Sequence, residues 1–307
     1  MLEKYSTRRH FFILFSIFVF FLFAFYNCAE DNSEDRLMRT TYAEDADNYL
    51  PKIYAITPTY ARPEQKAELT RLSHVFRLVP NLFWIIVEDS NISTPLVEHL
   101  LRRAGLARRS ITLHVKTPDA YIPSKKAPYW SQSRGVKQRN LGLSWLRNCT
   151  DSEERGIVYF MDDDNTYSVE LFGEISKTRP GRVAVWPVGL VGTLMAERPI
   201  LNINRTKVIG FNAVWRRDRS FPIDMAAFAI SKDLLFLHPE AKFSYDVELG
   251  FQETEFLKQL TTRQELQPLA TRSRDVLVWH TRTEKTKLTG EESLRKVGQR
   301  SDQDLEV

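Results

Sequence analysis

The sequence predicts an α/β fold, with a mostly parallel sheet in the first half of its folded region and a mixed second half. Three observations predict it. Short apolar runs rich in β-branched and aromatic residues recur at 53–57, 82–87, 111–115 and 157–161, which is what strands covered on both faces require. Stretches with apolar residues at helical spacing lie between them, and that alternation gives parallel strands joined by crossover helices on both faces. Beyond the extended run at 183–191 the alternation stops.

In order along the chain, Ile53 to Thr57 forms the first strand and Pro58 breaks it. Thr59 to Arg62 is a loop, and Pro63 opens a helix at its first turn, with Leu69, Leu72, Val75, Phe76 and Val79 on one face. Leu82 to Val87 is a second buried strand ending in Glu88-Asp89-Ser90; residues 95–104 form a helix closed by Gly105, and Ile111 to Val115 a third strand. Residues 117–133 are rich in Pro, Lys, Ser and Tyr, and a loop of that length inside a domain is usually functional or mobile. Arg134 to Arg147 is a basic amphipathic helix, followed by the strand Ile157 to Met161. Val208 to Trp215 is a strand or hairpin arm, Phe221 to Ser231 is mixed, Glu253 to Leu260 is a short helix and Val276 to His280 a late strand. After Lys287 the tail is polar and loose.

The N-terminal end reads differently. Phe11 to Tyr26 is apolar apart from Ser16, with Arg8 and Arg9 before it and Glu30, Asp31, Glu34 and Asp35 after. A spanning helix needs about 17–25 residues, and the positive-inside rule puts the N-terminus in the cytosol. Residues 1–10 are thus a cytosolic tail and 11–29 a transmembrane signal-anchor, since Tyr26-Asn-Cys-Ala29 makes a poor cleavage site. Residues 30–50 form an acidic stem, 51–288 a lumenal domain and 289–307 a polar C-terminal tail. Three glycosylation sequons, at Asn91, Asn148 and Asn204, suit a lumenal location. Cys28 and Cys149 are the only cysteines, too few for a disulfide framework; Cys28, beside the span, is a free interfacial thiol, an intermolecular disulfide partner or an acylation site.

Charge narrows the function. The net +4 divides into +2 over residues 1–29, −5 over 30–50 and +7 over the remainder. A basic domain suits an anionic substrate. No basic helix with interleaved aromatics marks nucleic-acid binding, and neither G-x-G-x-x-G nor a P-loop is present. Against that basic background, Ile157 to Met161 runs straight into Asp162, Asp163 and Asp164. Adjacent carboxylates repel each other unless a cation is bound, and Mg²⁺ or Mn²⁺ prefers such oxygens while keeping positions open for phosphate. Ligands of open α/β sheets bind beyond the carboxyl ends of the strands, where these acids fall. A triplet alone fits a helix cap equally well.

Seven motifs then occur in one order: Ile56-Thr-Pro-Thr-Tyr-Ala-Arg62, Val87-Glu-Asp89, Arg134-Gly-Val-Lys-Gln-Arg-Asn140, Asp162-Asp-Asp-Asn-Thr-Tyr167, Val185-Trp-Pro-Val-Gly189, Phe221-Pro-Ile-Asp-Met225 and Val278-Trp-His-Thr-Arg-Thr-Glu284. Together they resemble the β-1,3-glucuronosyltransferases. The resemblance implies a GT-A glycosyltransferase fold, with a Rossmann-like nucleotide-binding half and a mixed acceptor-binding half. It also implies a Golgi type II membrane enzyme, a homodimer, that uses Mn²⁺ to move glucuronic acid from UDP-glucuronate, with inversion, to the 3-hydroxyl of a terminal galactose.

Roles follow from the matched positions. The resemblance implies Asp164 as the metal ligand, with Asp162 and Asp163 touching sugar and ribose. Tyr60 and Asp89 hold uracil and ribose, and Arg134, Arg139, His280 and Arg282 hold the donor's charge. Glu253 is the catalytic base, and Glu197, Trp215, Arg219 and Asp224 meet the acceptor galactose. Each has a plainer reading: Asp89 as a helix cap, Glu253 as a first-turn acid favoured by the dipole, Trp215 and Tyr60 as core, the arginines as a solvated helix face. Two departures fall on the acceptor side, a longer loop between Glu197 and Gly210 and the basic run Arg216-Arg-Asp218. The expected acceptor is the Gal-Gal-Xyl linkage of proteoglycans, with N-acetyllactosamine ends as the alternative, or both. A phosphodiesterase or nucleotidyltransferase would need more metal ligands, and a lectin would not need Glu253.

Overall fold

In the computed structural model, residues 50–122 and 132–306 are described; the expected signal-anchor at 11–29, nearly all of the stem and half of the 117–133 loop lie outside them. Among the described residues no helix is long and apolar enough to cross a membrane. The central strand is β1 (Lys52–Thr59), which pairs in parallel with β2 (Leu82–Glu88) and with β4 (Gly156–Phe160). β2 continues in parallel to β3 (Ser110–His114). Helices α1 (Gln65–Phe76), α2 (Pro95–Ala104) and α3 (Val136–Cys149) are the crossovers. Every residue of β4 is buried, as are Ile53 to Thr57 and Trp84 to Glu88, so the continuous apolar runs have the two-sided cover they predicted.

Beyond β4 the sheet becomes mixed. β10 (Phe228–Ser231) runs antiparallel between β4 and β6 (Val183–Val185), and β11 (Gln267–Pro268) lies parallel to β6. The order is β11-β6-β10-β4-β1-β2-β3. A second sheet takes β5 (Thr166–Tyr167), β12 (Val278–Trp279), β7 (Val188–Gly189), β8 (Ala196–Leu201) and β9 (Val208–Asn212), in that order. Further helices are α4 (Val169–Ile175), α5 (Lys232–Leu237), α6 (Gln252–Leu257) and α7 (Thr289–Lys296), besides a short helical turn at Ala270–Ser273. A mostly parallel first sheet joined to a mixed second sheet is the layout that the resemblance implied.

Three expectations need correction. The run Val183 to Val191 is two strands in two sheets, because Trp186 turns its N–H to the carbonyl of Ala227 (3.1 Å) and Pro187 has none to give. β8 has no counterpart among the expected strands, since Pro199 argues against one; yet Pro199 lies opposite Phe211, in the part of β8 that pairs only with β9. The tail after Lys287 is polar but not loose: α7 forms, and Glu306 pairs with Lys66 and Arg103 at 3.7 and 3.8 Å. Smaller shifts of one to three residues occur at β3, β4, α3 and α6.

One aromatic cluster ties together the three elements that lead into the site. Phe160 ends β4 and meets Phe228 of β10, Phe243 and Phe256 of α6, with ring centroids 6.1, 5.1 and 5.6 Å away. Phe243 and Phe256 stack at 4.2 Å. Phe160 is fully buried. Phe160→Ala should lower unfolding free energy by about 3–5 kcal/mol, read from urea denaturation; a loss under about 1 kcal/mol would show that the cluster does not hold these elements together.

Candidate active site

The main chain leaves β4 through Met161, whose N–H bonds to the carbonyl of Ile56 on β1 (2.9 Å). The three acids that follow have three different surroundings. Asp162 pairs with Arg139 of α3 at 2.7 Å. Asp163 is held at both oxygens by Arg62, at 2.8 Å each, and takes a third bond from Thr59 Oγ1 at 2.7 Å. The Asp164 carboxylate accepts no hydrogen bond among the described residues. Its main-chain carbonyl is fixed by Arg71 of α1 (2.8 Å) and Thr281 Oγ1 (2.7 Å). Burial, then repulsion from Asp162 and Asp163, pushes its pKa up to about 6, against the partial opposition of Arg62 and His280.

Of the residues expected to hold the nucleotide, Tyr60 emerges from the end of β1 and is 43% exposed. The guanidinium of Arg62 lies 4.6 Å from its ring centroid and that of Arg134 5.8 Å. Asp89 follows β2, and its two oxygens accept from the N–H and hydroxyl of Thr117, both at 2.7 Å. The bond ties β2 to the chain leaving β3. Arg139 is almost fully buried; besides Asp162 it reaches the carbonyl of Arg134 (2.9 Å) and lies over Phe243.

Glu253 stands in the first turn of α6. Among the described residues no other side chain hydrogen-bonds its carboxylate. Burial, then the Asp224 charge, pushes its pKa up to about 7, with Arg219 and Arg139 acting the other way. Asp224 caps the short turn Met225–Ala227 by accepting from the N–H of Ala226 (2.9 Å). His280 Nδ1 is 3.2 Å from Asp224 Oδ2, an ion-pair distance without hydrogen-bond alignment, and this contact raises the histidine's pKa against the effect of burial. Asp224, His280 and Arg282 line one cleft of about 660 Å³ together with the turn Leu190–Thr193. A second depression, about 520 Å³ on the outer face of α1, is lined by that helix and Pro63 alone and gathers no acid.

The residues expected to meet the acceptor come from three further places. Glu197 on β8 is buried, and burial, then the nearby Asp224, raises its pKa. Trp215 is 45% exposed and packs edge-on against Phe251 at 5.9 Å. Arg219 is buried; it lies 4.6 Å over the Trp215 ring and donates to the carbonyls of Gly250 (2.6 Å), Arg216 (3.3 Å) and Trp215 (3.4 Å). Its guanidinium thus braces the loop around Trp215, where the resemblance implied acceptor contact. Asp163 and Arg139 are likewise engaged by protein partners first. The sequon residues Asn91, Asn148 and Asn204 are all exposed.

The structure therefore gathers Asp162, Asp163, Asp164, Asp224, Glu253, Glu197 and His280 into one electrostatic neighbourhood, with Tyr60 and Asp89 at the ends of β1 and β2. Residue roles read from the sequence leave out Arg62, although it sits inside a quoted motif; nothing in its local pattern shows that it reaches across to Asp163. Thr59 and Thr117 are absent for the same reason. Among the described residues no group of three or more His, Cys, Asp and Glu is arranged to hold a metal by itself.

Residues 72–284 match the description "Glycosyltransferase family 43". The chain is 64% identical over 258 residues to a Drosophila melanogaster protein named galactosylgalactosylxylosylprotein 3-beta-glucuronosyltransferase I, covering 84% of each. It is 51% identical over 245 residues to the Homo sapiens galactosylgalactosylxylosylprotein 3-beta-glucuronosyltransferase 2, covering 79% of this chain and 72% of that one. With the Mus musculus protein of the same name numbered 3, identity is 47% over 268 residues, 84% of this chain and 78% of the other. A match over most of the folded region and relatives this similar, joined to the acid-tipped β4 and the cleft beside it, place the chain in glycosyltransferase family 43.

Proposed function

We propose that this chain is an inverting β-1,3-glucuronosyltransferase that moves glucuronic acid from UDP-glucuronate to the 3-hydroxyl of the terminal galactose in the Gal-Gal-Xyl linkage of proteoglycans. One observation carries the reading. Of the site's carboxylates, Asp164 and Glu253 are the two that no donor outside their own residue satisfies among the described residues, and both pKa values are pushed well up, to about 6 and about 7. A carboxylate left without a partner in a half-buried site is suited either to a cation or to a proton. Asp164 would hold a divalent metal, Mn²⁺ by family likeness; the fit is a hard oxygen ligand whose neighbours are already paired with arginines. When bound, the metal stabilises the charge that builds on UDP.

The chain's own groups do the rest. Glu253 takes the proton of the acceptor 3-hydroxyl as that oxygen attacks C1 of the sugar from the side opposite UDP. The new C1–O bond forms as the bond to the phosphate oxygen breaks, and UDP leaves with the electron pair. His280 with Arg282 faces the departing phosphates. Tyr60 offers its ring to uracil, and Asp89, already fixed by Thr117, offers remaining lone pairs to ribose. Glu197, Trp215 and Asp224 receive the galactose, with Arg219 holding Trp215 in place. For residues 1–49 the sequence supports a type II signal-anchor in the Golgi membrane, and family likeness supports a homodimer.

The deciding experiment gives detergent-solubilised full chain UDP-glucuronate and Mn²⁺ with Galβ1-3Gal or with N-acetyllactosamine. Transfer to the first alone is expected; transfer to neither, with UDP still bound, would overturn the acceptor assignment. Because the base must be unprotonated, kcat/KM for the acceptor should rise about tenfold between pH 6 and its plateau, with an apparent pKa near 7. Glu253→Gln should remove that limb and lower kcat by about 10²–10⁴-fold, leaving UDP affinity intact. The folded-state pKa of Glu253 lies above its unfolded value, so its charge opposes folding increasingly as pH rises from about 4.5 to about 7. The same variant should therefore be stabilised relative to wild type more at pH 8 than at pH 5. Asp164→Ala should abolish the gain in UDP affinity that Mn²⁺ gives, measured by titration calorimetry; an undiminished gain would move the ligand role elsewhere.

A further inference from the structure

Two glycines beside the acceptor residues are left-handed, and in each case a site side chain fills the space a Cβ would need. Gly192, in the turn between β7 and β8, has φ +60°, and a Cβ there would fall 2.1 Å from Oε1 of Glu197. Gly250, three residues before Glu253, has φ +78°, and its Cβ would fall 2.4 Å from Cη2 and 2.7 Å from Cζ3 of Trp215. Real Cβ atoms essentially never approach closer than 3.0 Å. Left-handed backbone alone does not bring this about: Gly105, which closes α2 at φ +71°, has nothing within 4 Å of the same point.

Both contacts join the acceptor side to the reacting groups. Gly192 lines the same cleft as Asp224 and His280, and Glu197 lies in the field of both. Gly250 meets Trp215 at its Cα and Arg219 at its carbonyl, 2.6 Å from Nη1, just ahead of the helix that carries Glu253. The atoms in the way are the far ends of side chains. An added methyl is therefore accommodated by moving Glu197 or Trp215, with the backbone staying in place.

We propose that Gly192 and Gly250 are positioning residues for the acceptor: their bare Cα atoms set where the Glu197 carboxylate and the Trp215 ring stand, and so where the acceptor sugar lies relative to Glu253. The proposal rests on the reading of Glu197 and Trp215 as acceptor contacts. Wild type, Gly192→Ala, Gly250→Ala and Gly105→Ala are compared as full chain in detergent, reading acceptor KM and kcat, UDP affinity with Mn²⁺, and Tm. The first two substitutions should raise acceptor KM at least tenfold with UDP affinity within twofold of wild type. Gly105→Ala, with equal backbone strain and no side chain to displace, should leave acceptor KM unchanged. In a Trp215→Ala background, Gly250→Ala should add nothing further to KM. Unchanged acceptor KM in both site variants, an equal rise in Gly105→Ala, or full additivity with Trp215→Ala would each overturn the proposal. If Gly250→Ala does not fold, Gly192→Ala with and without Glu197→Ala decides by the same comparison. Wild type without transfer would bring down the functional reading and this proposal with it, whereas transfer by wild type with no KM effect would bring down this proposal alone.

Discussion

Asp162, Asp163 and Asp164 leave the end of β4 side by side, and three adjacent carboxylates in a half-buried cleft would hold one another partly protonated unless cations take up their charge. Arg139 from α3 takes Asp162, and Arg62 from the β1–α1 loop takes both oxygens of Asp163. Both arginine side chains are largely buried, so removing either partner would leave an uncompensated charge away from water, a costly state. The placement of α1 and α3 against β4 is thereby bound to the charge state of the triplet. What remains is a single acid, Asp164, whose main chain is clamped by Arg71 and Thr281 while its carboxylate has no donor among the described residues. The pairing pattern turns a run of three acids into two arginine-paired carboxylates and one that is not.

The same economy of partners shapes the far side of the cleft. Asp224 reaches the site because β10 enters the sheet antiparallel, directly beside β4. Its position is fixed from behind: the carbonyl of Ala226 accepts from both Tyr159 Oη (2.8 Å) and Trp186 Nε1 (2.9 Å), two buried donors. Phe160, Phe228 and Phe256 pack behind the acid triplet, the Asp224 turn and the helix of Glu253, so these groups stand on one rigid aromatic floor, and close packing leaves little room for drift. Asp224 then acts in two directions, raising the pKa of Glu253 and that of His280. One carboxylate thus adds to the effect of burial on Glu253 and opposes it on His280.

Much of this was legible along the chain. The strands β1, β2, β3 and β4 and the helix closed by Gly105 announce themselves because a two-sided cover demands uninterrupted apolar residues and a left-handed helix end favours glycine. The second half was less legible for physical reasons. β8 carries Pro199 and the buried acid Glu197, so its composition speaks against a strand, and only pairing with β7 and β9 makes it one. Trp186-Pro187 is apolar enough to read as strand, yet it is the point where the chain passes from one sheet to the other.

The sequence by itself determined the alternation of strand and helix, the acid triplet at a strand end, the family motifs and the identity of each candidate side chain, because those are properties of local pattern. Tertiary structure alone decided which carboxylates are neutralised. Arg62 and Asp163 are separated by 101 positions, Tyr159 and Ala226 by 67, and no local pattern encodes such distances. It also decided that Arg219 braces Trp215 and that Gly192 and Gly250 lie beneath acceptor-side groups. A residue's charge and bulk are written in the chain; whether that charge is left without a partner, or that bulk has room, depends on neighbours that only folding brings together.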